Sequence, residues 1–397
     1  MKEIIPVEVK FKSHPEDFIV EEVQEGWEPH ISKEDIFNTT PDLSSLEPND
    51  NRSFLACELE KRDIDLFTAI KIVASHLHKG SDAMGYAGIK DKKAHTIQRI
   101  TIFEPDLELV KTFKHPNIYL KNFRWEKRKI KLGYLTGNRF TITLRDLDKK
   151  DAMKLSSHLR KLDYFSNYFG KQRFGSVRGN NAKIGKLLIK KKFKEVLDVI
   201  LEEVSDKEQE EVSLARIRLK KEKDYREALN YFPLYLRAER RILEYLSNGM
   251  EPLEVIKRQE RKSMLFYVHA LQSLLFNQIL AQALDENFDF TRKGQQKIPL
   301  MGYRTRIEEE PLQEIEEAVL KREGIELADF NLVEIPYLRI KGDLRDAVVP
   351  IENLELEVED DDEYEGSRKI ILSFTLKKGT YATTFLENFF ILKEYRE

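Results

Sequence analysis

Apolar positions recur along the chain with two different periods, and the two periods fall in different regions. Between Asp65 and Leu77, Leu66, Ile70, Val73 and Leu77 recur every three or four residues. That spacing predicts a helix with one buried face and Asp63 or Asp65 as its N-cap. Ile97–Phe103 reads as a strand, and Arg139–Arg145 alternates, with Phe140, Ile142 and Leu144 on one face and Thr141 and Thr143 on the other. Asp151 is the expected cap of a short helix carrying Leu155, Leu159 and Leu162. From about 180 to 335 the period is helical: Phe193–Val204, Ser213–Leu229, Leu234–Ser247, a long apolar helix Ser263–Asp285, and Pro311–Arg322 closed by Gly324. Strand alternation returns at Lys369–Leu376, and Gly379-Thr380 leads into a predicted final helix through Phe389. Residues 24–52 hold prolines, acids and asparagines without periodicity and read as a long loop. An α+β pattern at both ends with a helix-rich middle predicts an insertion rather than two domains in series, with the last strand joining the sheet begun by the first half.

Composition narrows the chemistry. Cys57 is the only cysteine of 397 residues, which excludes a disulfide framework and thiolate-rich metal sites. The closest histidines, His76 and His78, lie two apart on the predicted helix and face different ways, so no metal site is expected. No run of about 18 apolar residues exists, and the start Met1–Glu8 lacks the apolar stretch of a secretory signal. The expectation is a cytoplasmic protein with no membrane segment.

The net charge of -3 hides a segregation of sign. Between Lys111 and Arg145 basic residues face the single acid Glu126, and between Lys171 and Lys194 there is no acid at all. Such blocks favour a polyanionic partner, because each phosphate contact releases condensed counterions. The compensating acids, in Glu202–Glu211 and in Glu359–Glu363, are expected on exposed helix and loop.

One carboxylate stands apart from these. Asp91 lies in Gly85-Tyr86-Ala87-Gly88-Ile89-Lys90-Asp91-Lys92-Lys93-Ala94, bracketed by lysines and followed by a predicted strand. Neighbouring cations favour the ionised form of a carboxylate, which suits a nucleophile or base. By itself the segment also reads as an ordinary turn between helix and strand, and no Gly-x-x-x-x-Gly-Lys-Ser/Thr phosphate loop occurs anywhere.

Further segments remove that ambiguity. Phe11-Lys12-Ser13-His14-Pro15-Glu16-Asp17-Phe18-Ile19-Val20-Glu21-Glu22, Gly85–Gln98, Gly137-Asn138-Arg139-Phe140, Asn167-Tyr168-Phe169-Gly170-Lys171-Gln172-Arg173-Phe174-Gly175, Leu274–Gln278 and Gly379–Thr383 occur in this order. Together they resemble the motifs of the TruD family of tRNA pseudouridine synthases, over nearly the whole chain. The resemblance implies an α+β fold with a mixed or antiparallel pseudouridine-synthase sheet of permuted connectivity, formed by residues 1–163 and 342–397 and interrupted by a helix-rich insertion at 164–341. It also implies the substrate, uridine 13 in the D arm of tRNA, and a reaction that needs no cofactor and no metal. A monomer is expected.

Residue by residue, the resemblance maps the family's essential aspartate onto Asp91, which attacks ribose C1′, adds to C6 of uracil or removes the C2′ proton. It maps the basic partner of that aspartate onto Lys12. Phe140 corresponds to the aromatic that stacks on the flipped-out base; lacking a hydroxyl, it cannot itself take the C5 proton. Asn138 is expected to bind near the catalytic turn or the base, and Asn167, Arg173 and Phe174 to shape the mouth of the site, with the second basic stretch gripping phosphates beside it. Two other readings use the same residues. A non-catalytic RNA-binding or remodelling protein would leave Asp91 without a purpose, and a base-excising glycosylase would release free uracil.

Overall fold

The structure is a computed structural model that describes residues 6–48, 53–291, 297–306 and 312–394. The chain divides into two units, one of residues 1–165 and 349–397, the other of residues 166–348. The predicted start of a helix at Pro311, the end of the irregular stretch 24–52 and most of the Met1–Glu8 segment lie outside the described residues.

Among the described residues of the first unit, ten strands form one sheet. They are β1 (Val7–Phe11), β2 (Phe18–Val23), β3 (Phe54–Arg62), β4 (Met84–Tyr86), β5 (His95–Phe103), β6 (Ile118–Glu126), β7 (Gly137–Leu147), β8 (Glu352–Asp360), β9 (Arg368–Lys377) and β10 (Phe390–Glu394). Their order is β8-β9-β7-β2-β5-β3-β6, with β1 pairing β10 and β7, and β4 pairing β5. The β2–β5 and β1–β10 pairs are parallel and the other pairs antiparallel, so this is a mixed sheet in an α+β fold. Strands from both ends of the chain meet in it: Phe374 of β9 lies opposite Phe140 of β7. Two apolar clusters pack on the sheet. One gathers Phe18, Phe140, Ile142, Leu144, Leu372 and Phe374. The other sets Leu55, Leu59, Ile100 and Ile102 against Leu66, Ile70 and Val73 of the helix Leu66–His76.

Several local expectations change once the backbone is in view. Asp65, not Asp63, caps the first helix, its carboxylate accepting from Thr68 N–H at 3.0 Å. Asp148, not Asp151, caps Lys149–Leu159, because the Asp148 carboxylate receives the Asp151 N–H. The predicted final helix is only Ala382–Leu386, and the chain then enters β10 beside β1, a long-range pairing that local periodicity does not report. The acidic run is exposed, as expected, except at Asp361. Asp361 is buried, and Asp361, Asp362 and Glu363 join Asp17 around the Arg145 guanidinium at 2.8–3.2 Å. This cage holds Asp17, whose carboxylate also accepts the His14 N–H at 3.0 Å, and so fixes the turn that follows Lys12.

The second unit is mainly helical around the 25-residue helix Arg261–Asp285. The predicted helix Ser213–Leu229 is two, Glu210–Glu222 and Tyr225–Tyr231, broken where Lys223 adopts φ 55° and Asp224 caps the second. The predicted helix from Leu234 starts later, at Arg237. Arg261–Asp285 is long and apolar enough by length and composition to cross a bilayer, contrary to the reading from uninterrupted apolar runs. Its Leu271, Leu275, Phe276 and Ile279 instead fill the core of the unit. The helix Asn181–Ile189 packs closely on it at Gly185, where a Cβ would stand 2.1 Å from the Tyr267 carbonyl.

Candidate active site

The site is built on one face of the sheet, where strand register sets neighbours. Directly opposed residues run Phe374, Phe140, Val20, Thr96 and Lys61 across β9, β7, β2, β5 and β3. Opposed residues project to the same face. One pleat along, Asn138 lies opposite Glu22. The row is apolar at the β9 end and polar toward β3, and the turn bearing Asp91 crosses the polar part.

That turn is held from beneath by buried polar groups. Lys90 and Glu22 form an ion pair at 2.6 Å with side-chain exposures of 4 % and 0 %. Gln98 donates through Nε2 to the Gly88 carbonyl at 2.9 Å, and Lys61 donates through Nζ to the Asp91 carbonyl at 2.7 Å. The Gly133 N–H donates to the Ala87 carbonyl at 2.8 Å. A Cβ at Gly88 would come within 2.8 Å of Lys90 Nζ and 3.3 Å of Glu22 Oε2, so a side chain there would press on the buried ion pair. The backbone of the turn is thus pinned while the Asp91 side chain remains 55 % exposed.

The structure brings Lys12 to this carboxylate. Lys12 follows β1 with φ 55°, a backbone conformation uncommon for a residue with a Cβ. Its largely buried side chain places Nζ 3.4 Å from Asp91 Oδ1 and 4.0 Å from the centre of the Phe18 ring. The ammonium therefore meets a carboxylate on one side and an aromatic face on another. Phe18 in turn lies 6.1 Å from Phe140, whose ring stacks on Phe374 at 5.5 Å and 27°. Phe140 is buried in the core, while Asn138 keeps a buried Oδ1 with no hydrogen-bond partner among the described residues. Asp91, Lys12 and Phe140 are linked through Phe18.

The remaining predicted residues belong to the second unit. Asn167 is buried and committed there: Nδ2 donates to the Asp346 carbonyl at 2.8 Å, and Oδ1 accepts from Arg345 at 2.7 Å. The Arg173 guanidinium lies 5.3 Å from the Phe169 ring and 5.5 Å from that of Phe266. Phe174 closes the short 3-10 turn Lys171–Phe174 and is partly exposed.

The two basic stretches differ once partners are seen. In the second, Arg178, Lys183, Lys186, Lys190, Lys191, Lys192 and Lys194 each pair with a carboxylate of the same unit, among them Glu323, Asp329 and Glu334. In the first, Lys111, Lys121, Arg124, Arg139 and Arg145 are paired. Exposed Lys127, Arg128 and Lys131 have no carboxylate partner among the described residues, and they flank Leu132 and Tyr134, each 67 % exposed. Gly133 ties the loop 127–134 to the Asp91 turn, and in the second stretch Lys171 and Arg173 likewise have no carboxylate partner among the described residues.

Lys61, Glu22, Lys90 and Gln98 were not among the residues singled out for chemistry. Lys90 and Gln98 stand within the motif around Asp91 and Glu22 ends the segment that holds Lys12, but Lys61 becomes visible only through strand pairing. Among the described residues no group of three or more His, Cys, Asp or Glu side chains converges as a metal site.

Comparison with known proteins agrees with this architecture. The family model described as tRNA pseudouridine synthase D (TruD) matches residues 2–297 and 291–389. A probable tRNA pseudouridine synthase D 1 from Methanocaldococcus jannaschii is 33 % identical over 394 residues, covering 96 % of this chain and 95 % of that one. A probable tRNA pseudouridine synthase D from Methanopyrus kandleri is 33 % identical over 340 residues and 83 % of each chain. Among solved structures, a putative tRNA pseudouridine synthase D from Methanosarcina mazei superposes with a TM-score of 0.84 at 25 % identity, covering 97 % of this chain and 94 % of that one.

Proposed function

The chain belongs to the tRNA pseudouridine synthase D family, and from that premise we propose that it isomerises a uridine of tRNA to pseudouridine with Asp91 as the reacting group. The observation that carries the assignment is the pairing of an exposed carboxylate on a pinned turn with the sequestered Lys12 ammonium, 3.4 Å away. Lys12 orients the carboxylate for attack on ribose C1′, addition to uracil C6 or removal of the C2′ proton.

The reaction breaks the C1′–N1 bond, turns the uracil, forms C1′–C5, releases the C5 proton to water and leaves N1 protonated by water. It balances without oxidant, reductant or energy source, so no cofactor is called for. Phe140 and Asn138 belong to the same reading. Phe140 gives the detached uracil an aromatic wall, and the unpartnered Asn138 Oδ1 can accept an N–H of the turning base. Uridine 13 of the D arm is the proposed position, and the loop 127–134 the proposed contact for backbone and unpaired bases.

Transfer RNA labelled with tritium at uracil C5 tests this reading. The protein should release tritium to water without added metal or nucleotide, and Asp91→Asn should abolish release while still binding tRNA. No release by the unaltered protein would sink the activity, and undiminished release by the variant would sink the role of Asp91.

A further inference from the structure

Lys61 is an unusual choice for its place. Along β3 it follows Cys57 and Leu59 on the face packed against the helix Leu66–His76, and its side chain is fully buried. Its ammonium donates to the main-chain carbonyl of Asp91 at 2.7 Å. A neutral donor can satisfy a carbonyl, whereas burying an ammonium costs free energy unless charge compensates it. The charged groups that act on it are the Asp91, Asp65 and Asp63 carboxylates and the like-charged Lys90 ammonium. Burial outweighs them and lowers the Lys61 pKa to about 8. The sequence thus keeps a costly cation under the residue whose carboxylate is to react.

The Asp91 side chain is half exposed and its one ion-pair partner among the described residues is Lys12. Its location is therefore set largely by the main chain to which it is attached. We infer that Lys61 is a positioning residue of the reaction, its buried ammonium fixing the main chain of Asp91 from below while Lys12 orients the carboxylate from the side. The inference rests on Asp91 being the reacting group. It adds a second lysine whose effect passes through the backbone, and it gives the activity an alkaline limit: as pH rises past about 8 the ammonium loses its proton and the hold weakens.

The test compares full-length Lys61→Met and Lys61→Arg with the unaltered protein in single-turnover pseudouridine formation and in tRNA binding. A displacement of the reacting group by about 1 Å costs about 100-fold in rate, so Lys61→Met should slow turnover by about that factor with tRNA affinity unchanged. Lys61→Arg should recover much of the rate and move the alkaline limb to higher pH, because a guanidinium keeps its proton there. Hydrogen exchange without RNA supplies a readout independent of activity: in Lys61→Met the amides of residues 88–93 should exchange faster while those of β3 and β5 do not. The inference is overturned if Lys61→Met turns over like the unaltered protein, if arginine gives neither recovery nor a moved limb, or if exchange rises across the whole sheet, which marks a purely structural lysine. If the unaltered protein makes no pseudouridine, the functional reading fails by itself, and the exchange comparison still decides whether Lys61 holds the turn.

Discussion

The two units handle buried charge differently. In the first, Lys90 with Glu22 at 2.6 Å and Lys61 on the Asp91 carbonyl lie beneath the Asp91 turn, while Glu60 with His95 at 2.9 Å and Lys121 at 2.6 Å is buried on the other face of the sheet. In the second, a large apolar core surrounds the helix Arg261–Asp285, and most ion pairs lie at the surface. Its buried charges gather mainly in one cluster, Arg178 and Arg216 with Glu208 and Glu239. Desolvating charge weakens a fold unless geometry repays it. A concentration of paired buried charge beneath one exposed carboxylate is therefore better explained by positioning than by stability. The cluster of the second unit, Arg178, Glu208, Arg216 and Glu239, is attached to no candidate reacting group.

The largest effect should come from breaking one of those pairs. Glu22→Gln keeps the side-chain shape but leaves Lys90 buried without its carboxylate, which should cost about 3 to 5 kcal/mol in denaturant unfolding of the first unit. Replacing both partners by methionine should recover much of that stability, yet not the rate of pseudouridine formation, because the turn loses its anchor. A cost for Glu22→Gln below about 1 kcal/mol would show the pair to be solvated, and the contrast between the units would lose its main support.

A smaller effect separates the two basic stretches. Changing Lys127, Arg128 and Lys131 together to serine should reduce the slope of log affinity for tRNA against log salt by about 2 to 3, the share of three phosphate contacts. The same change at Lys190, Lys191 and Lys192, which pair with Asp329, Glu334 and Glu195, should move the slope much less. The reverse ranking would place the RNA grip on the second unit.

What could be read in the sequence follows the same division. Periodicity found the helix Leu66–His76 and the alternation of β7 because each depends on neighbours within one element. The motifs marked Asp91, Lys12 and Phe140, since functional side chains sit in short segments of restricted backbone. What escaped depends on distant pairing. The acids that neutralise Lys186, Lys190 and Lys191 come from Glu323, Asp329 and Glu334, so a stretch without local acids looked free. Asp361 looked solvated because its partner Arg145 belongs to another strand. Lys61 reads locally as the polar end of an apolar strand, and only the register of β3 with β5 carries it under Asp91.

The smallest effect concerns the exception in the second unit. Glu316, on the helix Leu312–Glu323, is buried with no hydrogen-bond or ion-pair partner among the described residues, and burial together with Glu317 raises its pKa to about 7. An acid whose folded pKa lies above its unfolded value favours the folded state only while protonated. Its contribution is therefore retained below about 4.5 and lost progressively up to about 7, after which the unfolded state keeps the advantage. Glu316→Gln removes the charge and keeps the shape. It should stabilise the second unit at pH 8 by on the order of 1 to 3 kcal/mol and change little at pH 4, where the glutamate is already neutral in the fold. Thermal unfolding followed by amide exchange within Arg261–Asp285 reads this directly. Because Glu316 serves no turn and anchors no reacting group, the substitution should leave pseudouridine formation unchanged, whereas Glu22→Gln should impair both stability and rate. If Glu316→Gln instead lowered the rate, a buried charge in the apolar unit would also be acting on the chemistry, and the distinction between the two units would fail at its simplest point.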